Sequence, residues 1–204
     1  MRNMGIPVRK FDQHYTYRDY RQWGDDERWE LIHGVAYNMS PAPRTPHQGI
    51  SIEITGQIRE FLKGKPCAVF HAAVDVFFPP LREMDEDDVD TVVQPDVLVV
   101  CDRTKILEKG IWGAPDLVVE ILSKSTSRKD QHEKFDLYER GGVREYWIVD
   151  PNGQWIQQYV REESGKFGVE VTFEKTGRLA SAVLPGFELD VAEVFAAGEF
   201  SGLA

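Results

Sequence analysis

The chain has 204 residues, 42% of them hydrophobic and 28% charged, a composition that suits one globular domain with ample apolar residue for a core. No run approaches the roughly 20 apolar residues of a membrane helix, and the N-terminus MRNMGIPVRK lacks the apolar stretch of a secretory leader, so a cytoplasmic protein with no membrane partner is expected. The formal charge of -10 speaks against a nucleic-acid partner, because phosphate favours a basic surface. Much of that excess stands in one run, Glu83, Asp85, Glu86, Asp87, Asp88 and Asp90, expected to be a solvated loop tip kept extended by repulsion. Cys67 and Cys101 each sit in an apolar run without CxxC spacing, which predicts two buried reduced thiols.

Taken in chain order, Thr16 and Asp19 cap a short helix carrying Tyr17, Tyr20 and Trp23. Residues 29–32 and 35–39 flank His33-Gly34 and form a β-hairpin in which Gly34 supplies a positive φ. Thr45 is expected to cap a helix with Pro46 at its first position. The stripe His47, Ile50, Ile54, Ile58 and Phe61 continues that helix to about Lys63, where Gly64 stops it. Strands are expected at about 67–78, 91–101 and 115–122, the first two forming a long antiparallel hairpin around Pro79-Pro80 and the acidic run. The third is apolar on both faces apart from its acids, as a central buried strand should be. A helix opening between Ser127 and Asp130 and ending at Gly141-Gly142 leads to a strand over 143–149. Asp150-Pro-Asn-Gly153 turns the chain back into 155–160, and Asp190 caps a last short helix through Phe195.

The core order α, β, β, β, α, β predicts an α/β fold: a mixed β-sheet flanked by helices, with an N-terminal hairpin and a C-terminal hairpin extension. A single domain over 1–204 is expected, with its core at about 28–160 and the extension at 161–204.

Glu120 lies in the middle of the third strand, where a carboxylate is costly unless a metal, a cation or a set of hydrogen bonds answers it. Asp96, in VVQPDVLVV, is a second acid in an apolar run, and Pro95 marks a break in strand pairing beside it. Asp116 shares a strand and a face with Glu120, but four residues separate them by ~13 Å, too far to share a cation held at ~2–2.6 Å. Asp96 on the neighbouring strand is therefore the expected partner, and Asp116 is expected to be structural. On a helical wheel Lys134 falls within the apolar arc of its helix. It either snorkels, pairs with Asp130, or reaches over the sheet to the acids.

The segments WELIHGVAYNMSPAP, VVQPDVLVV, GAPDLVVEILSKST, a following D-x-x-x-K and GVREYWIVDP, in that order, resemble the Uma-two family, a branch of the PD-(D/E)xK nucleases. The resemblance runs over about residues 15–195 and implies a restriction-endonuclease-like fold. It also implies a Mg²⁺ (or Mn²⁺) site for hydrolysis of DNA phosphodiester bonds. Carried over by position, it puts metal ligands at Asp96 and Glu120, an upstream acid at Glu30, and the catalytic lysine at Lys134. Leu122 stands where the superfamily lysine usually does, and Lys124 stands where the branch usually has proline, so Lys124 remains the alternative. His47 is read as a core histidine or as a contact to Glu30 or substrate, and Asp75, set to flank Asp96 across the hairpin, as an acid behind the metal ligands or as a paired edge residue.

Lys134→Ala is then expected to abolish cleavage with fold and metal binding intact. Cutting two strands implies a homodimer, for which Trp23 and Trp29 at one end, or Trp155 and Tyr159 at the other, are candidate contacts. The alternative to an enzyme is a catalytically silent nucleic-acid-associated or protein-interaction module on the same fold.

Overall fold

The computed structural model describes residues 9–10, 13–23, 28–39, 44–123 and 132–199. Among them no helix is long and apolar enough to cross a membrane. A short strand β1 (Arg9–Lys10) precedes α1 (Tyr17–Tyr20), whose N-terminus is closed by the Thr16 amide donating to Asp19 Oδ2 at 3.0 Å. Strands β2 (Trp29–Ile32) and β3 (Val35–Asn38) pair around His33 (φ 51°) and Gly34 (φ 73°), the two positive φ values that a two-residue hairpin turn needs.

Helix α2 (Thr45–Phe61) follows, with Arg44 at the N-cap; Thr45 is its first residue and not its cap as the sequence suggested. Pro46 tolerates this position because the amides of the first turn have no intrahelical partner. Ile50, Ile54 and Ile58 are buried at the expected spacing.

The long hairpin forms but does not stay in one sheet. Strands β4 (Ala68–His71) and β5 (Val76–Phe77) make up one arm, and β6 (Val92–Val93) and β7 (Val97–Val100) the other. The strand β4 pairs with β7, and β5 with β6, on either side of a crease where Asp75, Gln94 and Asp96 lie. After β8 (Ile106–Leu107) and β9 (Gly110–Trp112), the fully buried β10 (Leu117–Ile121) runs antiparallel to β7. Helix α3 (Glu133–Gly141), ended by Gly142 at φ 94°, carries the chain to β11 (Glu145–Asp150), parallel to β10. The antiparallel strands β12 (Trp155–Val160) and β13 (Val171–Glu174) complete that sheet. Strands β14 (Arg178–Ala180) and β15 (Glu188–Asp190) form a separate pair, and Asp190 caps α4 (Val191–Ala196) by accepting from the Glu193 amide at 3.2 Å.

Two sheets result, in the orders β1-β3-β2-β6-β5-β9-β8 and β13-β12-β11-β10-β7-β4. One face of the second packs on α2 and the C-terminal residues Leu179, Leu184, Leu189 and Phe195. The other face shares a core with the first sheet (Ile32, Val76, Val93) and with Leu137 and Tyr138 of α3.

Besides the cap of α2, three further expectations differ from the structure. Cys67 and Cys101 are joined in a disulfide, because the pairing of Ala68 with Val100 sets the two cysteines opposite each other one step further along the ladder. The acidic run is not extended: Glu86–Asp88 forms a 3₁₀ turn capped by Asp85. Its repulsion is answered by Arg21 and Arg18, which reach Asp87 at 2.9 and 3.6 Å, and by Lys109 paired with Glu86. Trp29 offers no contact surface, since it is buried with Tyr15, Tyr20 and Trp23 in a small aromatic core.

Candidate active site

Lys134, Leu137 and Tyr138 are the buried residues of α3, and the i, i+4 spacing of Lys134 and Tyr138 aims both at the middle of β10. The Lys134 ammonium lies 2.7 Å from Glu120 Oε1 and 2.8 Å from Glu30 Oε1. The Tyr138 hydroxyl donates to the same Glu120 oxygen at 2.6 Å. With the Lys134 side chain only 3% exposed, it does not snorkel; it bridges an acid from each sheet. Asp130 lies outside the described residues, and so does Lys124. Glu30 is held further by the Gln94 backbone amide at 2.8 Å. Two carboxylic acids and one lysine are thus brought together, all nearly dehydrated, at the junction of the sheets.

Continuing the ladder Val118↔Leu98, Val119↔Val97 by one step sets Glu120 opposite Asp96. The Asp96 Oδ2 atom accepts from the Ile121 amide at 2.7 Å and stands 3.3 Å from His47 Nε2. Oδ1 takes no hydrogen bond among the described residues, and the side chain keeps 18% exposure. His47 meets Asp96 from the first turn of α2. Asp116 is tied instead to the Cys101 amide (2.7 Å) and Arg144 (3.1 Å), consistent with a structural part.

Asp75 accepts from Gln94 Nε2 at 2.7 Å and from Tyr20 at 3.4 Å. Burial holds its carboxyl above the ordinary range, opposed by those two donors and reinforced by the charge of Glu30. Burial and Asp75 push the Tyr20 hydroxyl up in turn.

The donor set can be tested against a divalent ion. Among the described residues no three His, Cys, Asp or Glu side chains are grouped to hold a metal. Asp96 and Glu120 supply hard oxygens at facing positions. Two carboxylates fit an ion such as Mg²⁺, which keeps several waters and takes further oxygens from a substrate phosphate.

Residues 17–192 match the model of the Uma2 family, described as "Putative restriction endonuclease". The chain belongs to this family. An uncharacterized Synechocystis sp. protein is 25% identical over 164 residues, covering 79% of this chain and 81% of that protein. A crystal structure from Anabaena variabilis, of a "putative nuclease belonging to DUF820", superposes with a TM-score of 0.70 at 19% identity. It covers 89% of this chain and 97% of that one. The restriction-endonuclease-like α/β fold is thus shared.

Two residues that pack against the candidate acids are not among the site residues expected from the sequence. Tyr138 is one of them, although an aromatic hydroxyl four residues after a buried lysine is a signal that the sequence carries. Gln94 holds Glu30 with its backbone amide and Asp75 with its side chain, and a backbone contact of that kind leaves no trace in residue type.

Proposed function

We propose that this Uma2 protein is a Mg²⁺- or Mn²⁺-dependent endonuclease that hydrolyses DNA phosphodiester bonds. The observation that carries the reading is the convergence of Glu30, Glu120 and Lys134 at the junction of the sheets, with Asp96 at the facing ladder position. The family description and the nuclease-like neighbour support nuclease chemistry in general.

Asp96 and Glu120 would hold the ion, Asp96 through the oxygen that neither the Ile121 amide nor His47 engages. When bound, the ion supplies Lewis-acid polarisation of the scissile phosphate and acidifies water beside it. Lys134 places a fixed positive charge at the same spot, preorganised to meet the charge that develops on the phosphate oxygens. Glu30 and Tyr138 steady that lysine and the carboxylate it pairs with. Lys124 remains the alternative phosphate contact.

The reading also takes the chain as a single domain acting as a cytoplasmic homodimer on DNA. The Cys67–Cys101 disulfide pulls against a reducing compartment. Thiol alkylation of intact cells before lysis decides the point, since protected cysteines would contradict the cytoplasmic assignment.

The test is incubation with plasmid, linear duplex, single-stranded DNA and RNA under Mg²⁺, Mn²⁺ or chelator. Metal-dependent nicking or cutting of DNA is expected. A second reading, a silent interaction module, is favoured by Lys134 acting as an internal counter-ion and by the absence of a three-ligand group among the described residues. It predicts no cleavage and no Mn²⁺ binding.

A further inference from the structure

The Asp96 side chain keeps 18% exposure, more than Glu30 or Glu120, and its orientation depends on few contacts. Its Oδ2 atom takes the Ile121 amide at 2.7 Å, which fixes the carboxylate against the strand that carries Glu120. His47 Nε2 stands 3.3 Å from the same oxygen. The tautomer with its hydrogen on Nε2 turns that hydrogen toward the carboxylate, whereas a bare nitrogen would set lone pairs against each other.

The ring comes from a rigid support: α2 is pinned to the sheet by Ile50, Ile54 and Ile58, none more than 1% exposed. A histidine heading an apolar stripe would ordinarily be packing material. Here its ring addresses an acid, and both contacts fall on Oδ2, not Oδ1.

We propose that His47 is a positioning residue: it holds Asp96 by Oδ2 so that Oδ1 is presented to the ion and its phosphate ligand. The inference rests on the reading of Asp96 as an ion-holding carboxylate, and it asks for an N–H donor at this point, not for an imidazole that titrates or ligates. Outer partners of this kind typically set metal affinity by about 10–100-fold.

The test compares the parent with His47→Ala and His47→Gln, the glutamine placing an amide nitrogen near the position of Nε2 without titrating. Two quantities are read: Mn²⁺ affinity by calorimetry, and the proton shift of the Ile121 amide in metal-free protein. His47→Ala should weaken Mn²⁺ binding by about 10–100-fold and move the Ile121 amide upfield, with little change in melting temperature, and His47→Gln should restore most of both. Unchanged affinity and an unchanged amide in His47→Ala overturn the proposal. Equal losses in both variants also overturn it, because they would make the imidazole itself the ligand or proton carrier. A parent that binds no Mn²⁺ refutes the nuclease reading, while the Ile121 amide still decides whether His47 positions Asp96. If His47→Ala does not fold, the shift in His47→Gln decides the same point.

Discussion

Removing the Lys134 ammonium would leave Glu30 and Glu120, 0% and 3% exposed, without the cation that bridges them. Breaking a buried pair in this way costs about 3–5 kcal/mol, more than the pair contributes over an apolar replacement. The expectation that Lys134→Ala keeps its fold is therefore revised. The variant should lose about that much stability in denaturant titration as well as losing cleavage, and Lys134→Met with Glu30→Gln and Glu120→Gln should recover most of it. An alanine variant as stable as the parent would mean that the acids are not ionised together.

Asp75 gives a second test, through pH. A carboxyl whose folded pKa is raised contributes stability that is present below its unfolded value of 3.8 and lost as pH rises through the folded value. Ionised Asp75 is thus a cost near neutrality. Asp75→Asn keeps an acceptor for Tyr20 and Gln94 and should melt a few degrees above the parent at neutral pH, the gap closing in acid. A gap that does not vary with pH would contradict this.

Among the elements, β11 bears a load that its sequence hides. Glu145, fully buried, accepts from Trp147 Nε1 (2.7 Å), Gln158 Nε2 (2.6 Å), Ser181 Oγ (2.7 Å) and the Val183 amide (3.0 Å). It ties the C-terminal hairpin to the middle of the sheet. Glu145→Ala would strand several donors at about 1–3 kcal/mol each. Amide exchange should then accelerate over residues 179–194 ahead of β10, whereas uniform acceleration would argue against a local anchor.

Local pattern made several elements readable. The Ile50, Ile54, Ile58 period located α2, the all-apolar faces of β10 located the central strand, and Asp190 with Glu193 located α4. What escaped reading depends on register between distant segments. The crease that sends β5 and β6 into the other sheet, and the pairing of Cys67 with Cys101 across 34 residues, follow from which strand lies beside which. No single window of sequence contains that choice. At the site, Glu120 stood out because charge inside an apolar strand demands a partner. Tyr138 did not, because a buried tyrosine needs no such explanation.

At the scale of the whole molecule, the net charge of -10 already counts every base, so ion pairing changes only where the excess acid lies and not its size. Asp87, Asp88 and Glu86 are answered by Arg18, Arg21 and Lys109, so the acidic run repels a phosphate backbone less than its composition suggests. Without Trp29 as a contact, the proposed homodimer would use other surfaces, such as that around Trp155 and Tyr159. Sedimentation should report a dimer at micromolar concentration with DNA present, and a monomer under all conditions would remove the two-site arrangement. The central claim is that one acidic junction cuts DNA with a divalent ion. Its most direct test is the Mg²⁺-dependent cleavage rate of the parent beside Glu120→Gln, a change that keeps shape and removes the charge. We expect chelator-sensitive cutting by the parent and a loss of at least about a hundredfold in the variant. Equal rates in the two proteins, or cutting that survives chelator, would contradict the account.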